Sequence, residues 1–87
     1  MAKAQEKSQT KSVKIYSTPT CVYCKMAKDF FNTYGVKYEE FNVADDDVKR
    51  NEMVEKSHQL GVPVIDIDGE IFVGFAREEL ARALGIK

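Results

Sequence analysis

The chain has 87 residues, 44% hydrophobic and 31% charged, with 5 Gly and 2 Pro, a size and composition that suit one small globular domain and exclude a collagen-like or low-complexity chain. Lys plus Arg at 13 nearly balances Asp plus Glu at 14, so there is no basic field to hold a nucleic acid or an anionic membrane. No apolar run approaches the roughly 18 residues of a membrane span, and the N-terminus lacks the apolar block of a secretory leader, so a cytoplasmic protein is expected.

Residues 1–12 carry Lys3, Lys7 and Lys11 against Glu6, with no apolar side chain beyond Met1, Ala2 and Ala4. Such a stretch buries too little to offset its ordering entropy, so it is expected to be a flexible polar tail ahead of a folded domain over 13–87. Val13-Lys14-Ile15-Tyr16-Ser17 alternates apolar with polar and predicts a strand that runs into a turn at Thr18-Pro19-Thr20. From Cys21 to Tyr34, the residues Tyr23, Ala27, Phe30, Phe31 and Tyr34 recur at helical spacing, with Thr20 placed to cap the start and Gly35 to stop the end. Val36 to Val43, with Tyr38 and Phe41, predicts a second strand. Asp45-Asp46-Asp47 then opens a helix running to about Gln59; carboxylates in a first turn complement the helix dipole, which accounts for the triplet without a metal. His58, near the other end, complements the opposite pole.

Gly61-Val62-Pro63 leads into a strand over Val64–Ile67, Asp68-Gly69 is a two-residue hairpin signal, and Glu70–Val73 pairs back. Arg77–Leu84 closes the chain as a short helix stopped by Gly85. The order β-α-β-α-β-β-α is an α/β arrangement that begins with a βαβ unit.

The chemistry concentrates at Cys21-Val22-Tyr23-Cys24, a C-x-x-C placed where a strand gives way to a helix. At a helix N-terminus the unpaired N–H groups and the dipole favour a thiolate on Cys21, and Lys25 and Lys28 add positive potential if they turn that way. Cys24, one turn on, is close enough for the two sulfurs to cycle between dithiol and disulfide. Two other readings compete. A structural zinc site wants four ligands, and His58 is the only further soft ligand in the chain. A pair of inert buried thiols wants an apolar setting, whereas Thr18-Pro19-Thr20 and Lys25 flank this pair with polar residues.

Ile15-Tyr16-Ser17-Thr18-Pro19-Thr20-Cys21-Val22-Tyr23-Cys24, followed by Gly61-Val62-Pro63 and Gly74-Phe75, resembles the glutaredoxin family of thioredoxin-fold proteins over residues 13–87. The resemblance implies a four-stranded mixed sheet flanked by three helices, Cys21 as nucleophile, Cys24 as resolving thiol, and Pro63 in cis facing the active site while the backbone of Val62 pairs with substrate. A trans proline that merely begins a strand is the alternative for Pro63. Tyr23 and Phe75 are candidates for the floor of the substrate groove, together with Gly74, with half-exposed packing as the alternative for the two aromatic rings. Arg77 and the start of the last helix are candidates to hold a carboxylate.

Family members that use glutathione typically carry Cys-Pro-Tyr-Cys, a Lys three residues before the first Cys, and a Gly-Gly-x-Asp-Asp-like stretch. This chain has Val22, Thr18 and Val73-Gly74-Phe75-Ala76-Arg77 at those places, and the Gly74-Phe75 step is also similar to the small redoxins that serve ribonucleotide reductase. The expectation is therefore a monomeric thiol–disulfide oxidoreductase acting on protein disulfides, ribonucleotide reductase among the candidate partners. No bound cofactor or metal is expected, and the electron donor is glutathione, bound weakly, or a flavoprotein thioredoxin reductase. Rival readings are a dimer that holds an iron–sulfur cluster through Cys21 and glutathione, and a redox-sensing adaptor that docks partners at Val62-Pro63 without turnover.

Overall fold

The structure, a computed structural model, describes residues 12–86. Its elements are β1 (Val13–Ser17), α1 (Val22–Thr33), β2 (Glu39–Asn42), α2 (Asp47–Ser57), β3 (Val64–Ile67), β4 (Glu70–Val73) and α3 (Arg77–Leu84). They form one four-stranded sheet in the order β2-β1-β3-β4, with β1 parallel to β2 and antiparallel to β3, and β3 antiparallel to β4. The two central strands are the most apolar and are almost wholly buried, whereas the edge strands present Glu39, Glu40 and Glu70 to solvent, charges that discourage pairing with another chain. The hairpin between β3 and β4 turns on Asp68 (φ 55°) and Gly69 (φ 96°), the two successive left-handed residues that a type I′ turn requires. Of the residues assigned to the tail, 1–11 lie outside the described residues; the carbonyl of Ser12 accepts the Asp68 N–H at 2.8 Å.

Side-chain alternation along the central strands sorts the core into two layers. Val13 and Ile15 of β1 and Ile65 and Ile67 of β3 pack with Ala27, Phe30 and Phe31 of α1 and Leu80 of α3. Tyr16 and Val64 face the other way and meet Met53 of α2 together with Val43. The start of α1 is thereby fixed against the ends of β1 and β3, where the C-x-x-C lies.

Three boundaries differ from the sequence expectation, each for a local reason. α1 is capped by Cys21 rather than Thr20, because the sulfur itself accepts an N–H of the first turn. β2 begins at Glu39 rather than Val36: the Val36 N–H is used to close α1 on the Phe31 carbonyl (2.8 Å), with Gly35 left-handed at φ 68°. α2 begins at Asp47 and ends at Ser57, with Asp46 as the cap that accepts the Lys49 N–H at 3.0 Å and His58 left-handed at φ 63°.

Candidate active site

β1 ends at Ser17 and the chain reverses through Thr18-Pro19-Thr20, the Cys21 N–H donating to the Thr18 carbonyl at 3.3 Å. This turn sets Cys21 at the N-cap of α1 in an extended conformation, its Sγ accepting the Cys24 N–H at 3.1 Å. The same sulfur lies 3.8 Å from the carbonyl of Val62, to which its thiol donates. Val62-Pro63 is a cis peptide, and the Pro63 carbonyl accepts the Gly74 N–H at 2.8 Å. Segments separated by some forty residues in sequence therefore meet at one sulfur, the turn after β1 and the loop before β3, and that loop is tied in turn to Gly74 just after β4.

The two thiols are free and unequal. Cys21 is partly exposed, while Cys24 is wholly buried on the face of α1 that also carries Ala27 and Phe31. Burial, joined by the hydrogen bond with Cys21, pushes the Cys24 thiol up to about 12, against the opposing pull of the Thr18 backbone and the Lys28 ammonium. Lys28 is turned toward the sheet, where it pairs with Glu40 at 2.7 Å, and the buried Ser17 hydroxyl donates to the same carboxylate at 2.9 Å. The hydrogen bond from Lys28 holds the Glu40 carboxyl below the ordinary range, and the same bond raises the Lys28 ammonium. Lys28 thus bears on Cys24, the buried member of the pair.

Not every residue singled out from the sequence converges on the sulfurs. Tyr23 is 60% exposed beside Cys21 and neighbours the exposed Val22. Gly74 lies against Pro63, but Phe75 turns toward α1, its ring 5.9 Å from that of Phe30. Arg77 sits over the Phe30 ring at 5.5 Å with a guanidinium nitrogen 3.4 Å from the Tyr34 hydroxyl. Phe30 is nine residues beyond Cys21, about 13 Å along the helix axis. Phe75 and Arg77 line a furrow of about 350 Å³ with Met26, Asp29, Phe30, Thr33 and Tyr34, along the flank of α1 rather than at its start. Ala76 stands at the N-cap of α3 and gives it no side-chain cap. No group of three or more His, Cys, Asp or Glu among the described residues is placed to hold a metal ion, and none of their helices is long and apolar enough to cross a membrane.

Two features escaped the sequence reading. The Ser17–Glu40–Lys28 cluster joins three elements, so no local pattern announces it. The side chain of Gln59 bonds both backbone groups of Gly61, and its only signal in the sequence is a polar residue shortly before Gly61-Val62-Pro63.

A four-stranded mixed sheet with three helices and a C-x-x-C at the start of the first helix, facing a cis proline, defines a thioredoxin-fold protein. Among solved structures, the thioredoxin-like protein BC3987 is similar with a TM-score of 0.80 and 34% identity, over 84% of this chain and 100% of that one. The glutaredoxin family model matches residues 13–73. The chain belongs to the glutaredoxin family, whose members are thiol–disulfide oxidoreductases, and it is such an enzyme. It is 47% identical over 72 residues to the glutaredoxin-like 8.6 kDa protein of the rubredoxin operon of Clostridium pasteurianum, covering 83% of this chain and 96% of that protein. It is 34% identical over 73 residues to the glutaredoxin-like protein NrdH of Lactococcus lactis, covering 80% and 96% respectively.

Proposed function

We propose that the protein reduces disulfides in partner proteins by cycling Cys21 and Cys24 between dithiol and disulfide. The Cys21 thiolate attacks one sulfur of the target; the target S–S bond breaks, the departing sulfur leaves with the electron pair and takes up a proton, and a mixed disulfide joins Cys21 to the partner. Cys24 then gives up its proton and attacks Cys21 Sγ, expelling the second partner thiol and leaving the Cys21–Cys24 disulfide. The observation that carries this reading is the asymmetry of the pair. A reachable sulfur sits at a helix N-cap with a backbone N–H 3.1 Å away, and a fully buried thiol stands one turn behind it. A buried thiol cannot meet a protein disulfide, but it can meet the mixed disulfide formed at its neighbour. Lys28 favours the anion that Cys24 must become.

The partner's chain lies along Val62-Pro63 and Gly74, with exposed Tyr23 as an apolar wall. The electron donor is a flavoprotein thioredoxin reductase in preference to glutathione. Glutathione carries two carboxylates, yet Thr18 offers no cation, Lys28 is paired with Glu40, and Arg77 is turned to Phe30 and Tyr34. Similarity to NrdH supports the same preference and makes ribonucleotide reductase a candidate partner. Such a dithiol works in a compartment that keeps thiols reduced, in keeping with a cytoplasmic location.

Trapping tests the division of roles. Cys24→Ser is expected to accumulate mixed disulfides with partner proteins, seen as reductant-sensitive bands on gels, and Cys21→Ser to accumulate none. Equal trapping by the two variants would refute it.

A further inference from the structure

Just past the end of α2, one side chain braces the loop that leads into Val62 and Pro63. Gln59 Oε1 accepts the Gly61 N–H at 2.6 Å while Gln59 Nε2 donates to the Gly61 carbonyl at 3.0 Å, so both backbone groups of Gly61 end on a single amide. Nε2 also lies 3.4 Å from Ser57 Oγ. Ser57 in turn donates to the Met53 carbonyl at 2.7 Å, with the Gln59 carbonyl 3.1 Å away. Met53 is the fully buried residue on the inner face of α2. A continuous set of bonds thus runs from the core through Ser57 and Gln59 to Gly61, and the next residue along the chain is Val62, whose carbonyl meets Cys21 Sγ.

Gly61 is the residue that this arrangement requires. A Cβ built there would stand 2.7 Å from Gln59 Oε1, closer than such atoms come, so any side chain at 61 displaces the Gln59 amide. The loop needs such a brace. Leu60 is exposed, Gly61 is exposed, and the Gly74 N–H that holds the Pro63 carbonyl reaches no further back than Pro63, so Leu60 to Val62 lie outside the strand pairing. A segment free to sample other conformations must be ordered each time a partner chain pairs with it, and that ordering is subtracted from affinity.

We propose that Gln59 is a positioning residue for protein disulfides: its amide fixes Gly61 so that the backbone of Val62 is preset to pair with an extended partner chain while the disulfide of that chain meets Cys21. This inference rests on the roles given above to Cys21 and Val62. It separates substrates by class. A peptide disulfide uses the Val62 backbone, whereas a small disulfide without amide groups uses Cys21 alone.

The test is single-turnover oxidation of the reduced protein, in which the Cys21/Cys24 dithiol becomes a disulfide and the substrate becomes two thiols. Two substrates are compared: two short peptides joined by one disulfide, and 2-hydroxyethyl disulfide. Gln59→Ala is expected to lower the second-order rate constant for the peptide about 10-fold, the worth of about one hydrogen bond, and to leave that for the small disulfide unchanged. Gly61→Ala is expected to reproduce the effect by expelling the amide, and the double variant to be no slower than either single one. Equal losses on both substrates, no loss on the peptide, or losses that multiply in the double variant would overturn the proposal. If the unmodified protein reduces neither substrate, the oxidoreductase reading of Cys21 falls as well; if it reduces both and the variants behave like it, only the role of Gln59 falls.

Discussion

Phe31, on the inner face of α1, and Tyr16 of β1, which faces α2, are both fully buried on opposite faces of the same sheet, and their surroundings differ. Phe31 lies among aliphatic and aromatic side chains, with Phe30 at 5.8 Å and Tyr38 at 5.4 Å between ring centres. Tyr16 has an apolar ring surface against Phe41, but its hydroxyl donates to Glu52 at 2.6 Å and accepts from Lys56 at 2.9 Å. Lys56 reaches on to Asp66 at 2.6 Å, and Asp66 accepts the Gly69 N–H at 2.7 Å. Both faces bury apolar area, but the α2 face adds a connected set of charges in which each member satisfies another. The difference explains where the reactive pair sits. Cys24 shares the apolar flank of α1, where desolvation keeps it a thiol, while the polar groups of α2 brace the sheet and Gln59, just past its end, braces the loop that faces Cys21.

The largest effect expected from breaking this contrast is at the dry face. Phe31→Ala removes a fully buried ring and leaves a cavity, a loss of about 3–5 kcal/mol measurable by denaturant unfolding. A loss under about 1 kcal/mol would show that the face repacks freely. At the polar face, Lys56→Met strands the Asp66 carboxylate with only the Gly69 N–H and is expected to cost about 1–3 kcal/mol. Adding Asp66→Leu to that variant should recover most of the loss, because no charge is then left unpaired. Failure of the second change to help would mean that the two residues do not act as a pair.

The smallest effect is on pH dependence. The hydrogen bond from Tyr16, aided by Lys49 and Lys56, holds the Glu52 carboxyl down at about 2 from its ordinary value of 4.5. Asp66 is also lowered: burial opposes its charge, but Lys56 and the Gly69 N–H outweigh that cost. A depressed carboxyl contributes stability that is complete above its unfolded value and is lost as the pH falls through its folded one. Stability should therefore decline from about pH 4.5 toward about pH 2, and Glu52→Gln should make that limb shallower. An unchanged acid limb in Glu52→Gln would remove Glu52 from the account.

Strands β1, β3 and β4 and helix α3 were legible from period and turn signals, with the bounds that the structure shows. Those elements are set by local pattern: alternation in Val13–Ser17, Asp68-Gly69 at the hairpin, Gly85 at the last stop. The C-x-x-C and Gly-Val-Pro were legible as a pair of motifs, and their meeting at Cys21 Sγ and the Val62 carbonyl follows from the strand order. What did not show in the sequence depends on which way a side chain turns. Cys21 caps its own helix with sulfur, Phe75 and Arg77 turn along α1, and Lys28 turns to Glu40. The network of Tyr16, Glu52, Lys56 and Asp66 joins residues up to fifty positions apart, and no periodicity links them.

Selective alkylation tests the asymmetry of the two thiols most directly. The reduced protein is treated at neutral pH with a limiting amount of iodoacetamide, and each cysteine is mapped by mass spectrometry. Modification is expected at Cys21 alone, with Cys24 reacting only when the protein is unfolded or the pH approaches about 12. Labelling of Cys24 first, or of both at equal rates in the folded protein, would contradict the assignment of Cys21 as the attacking sulfur and Cys24 as the thiol that waits behind it.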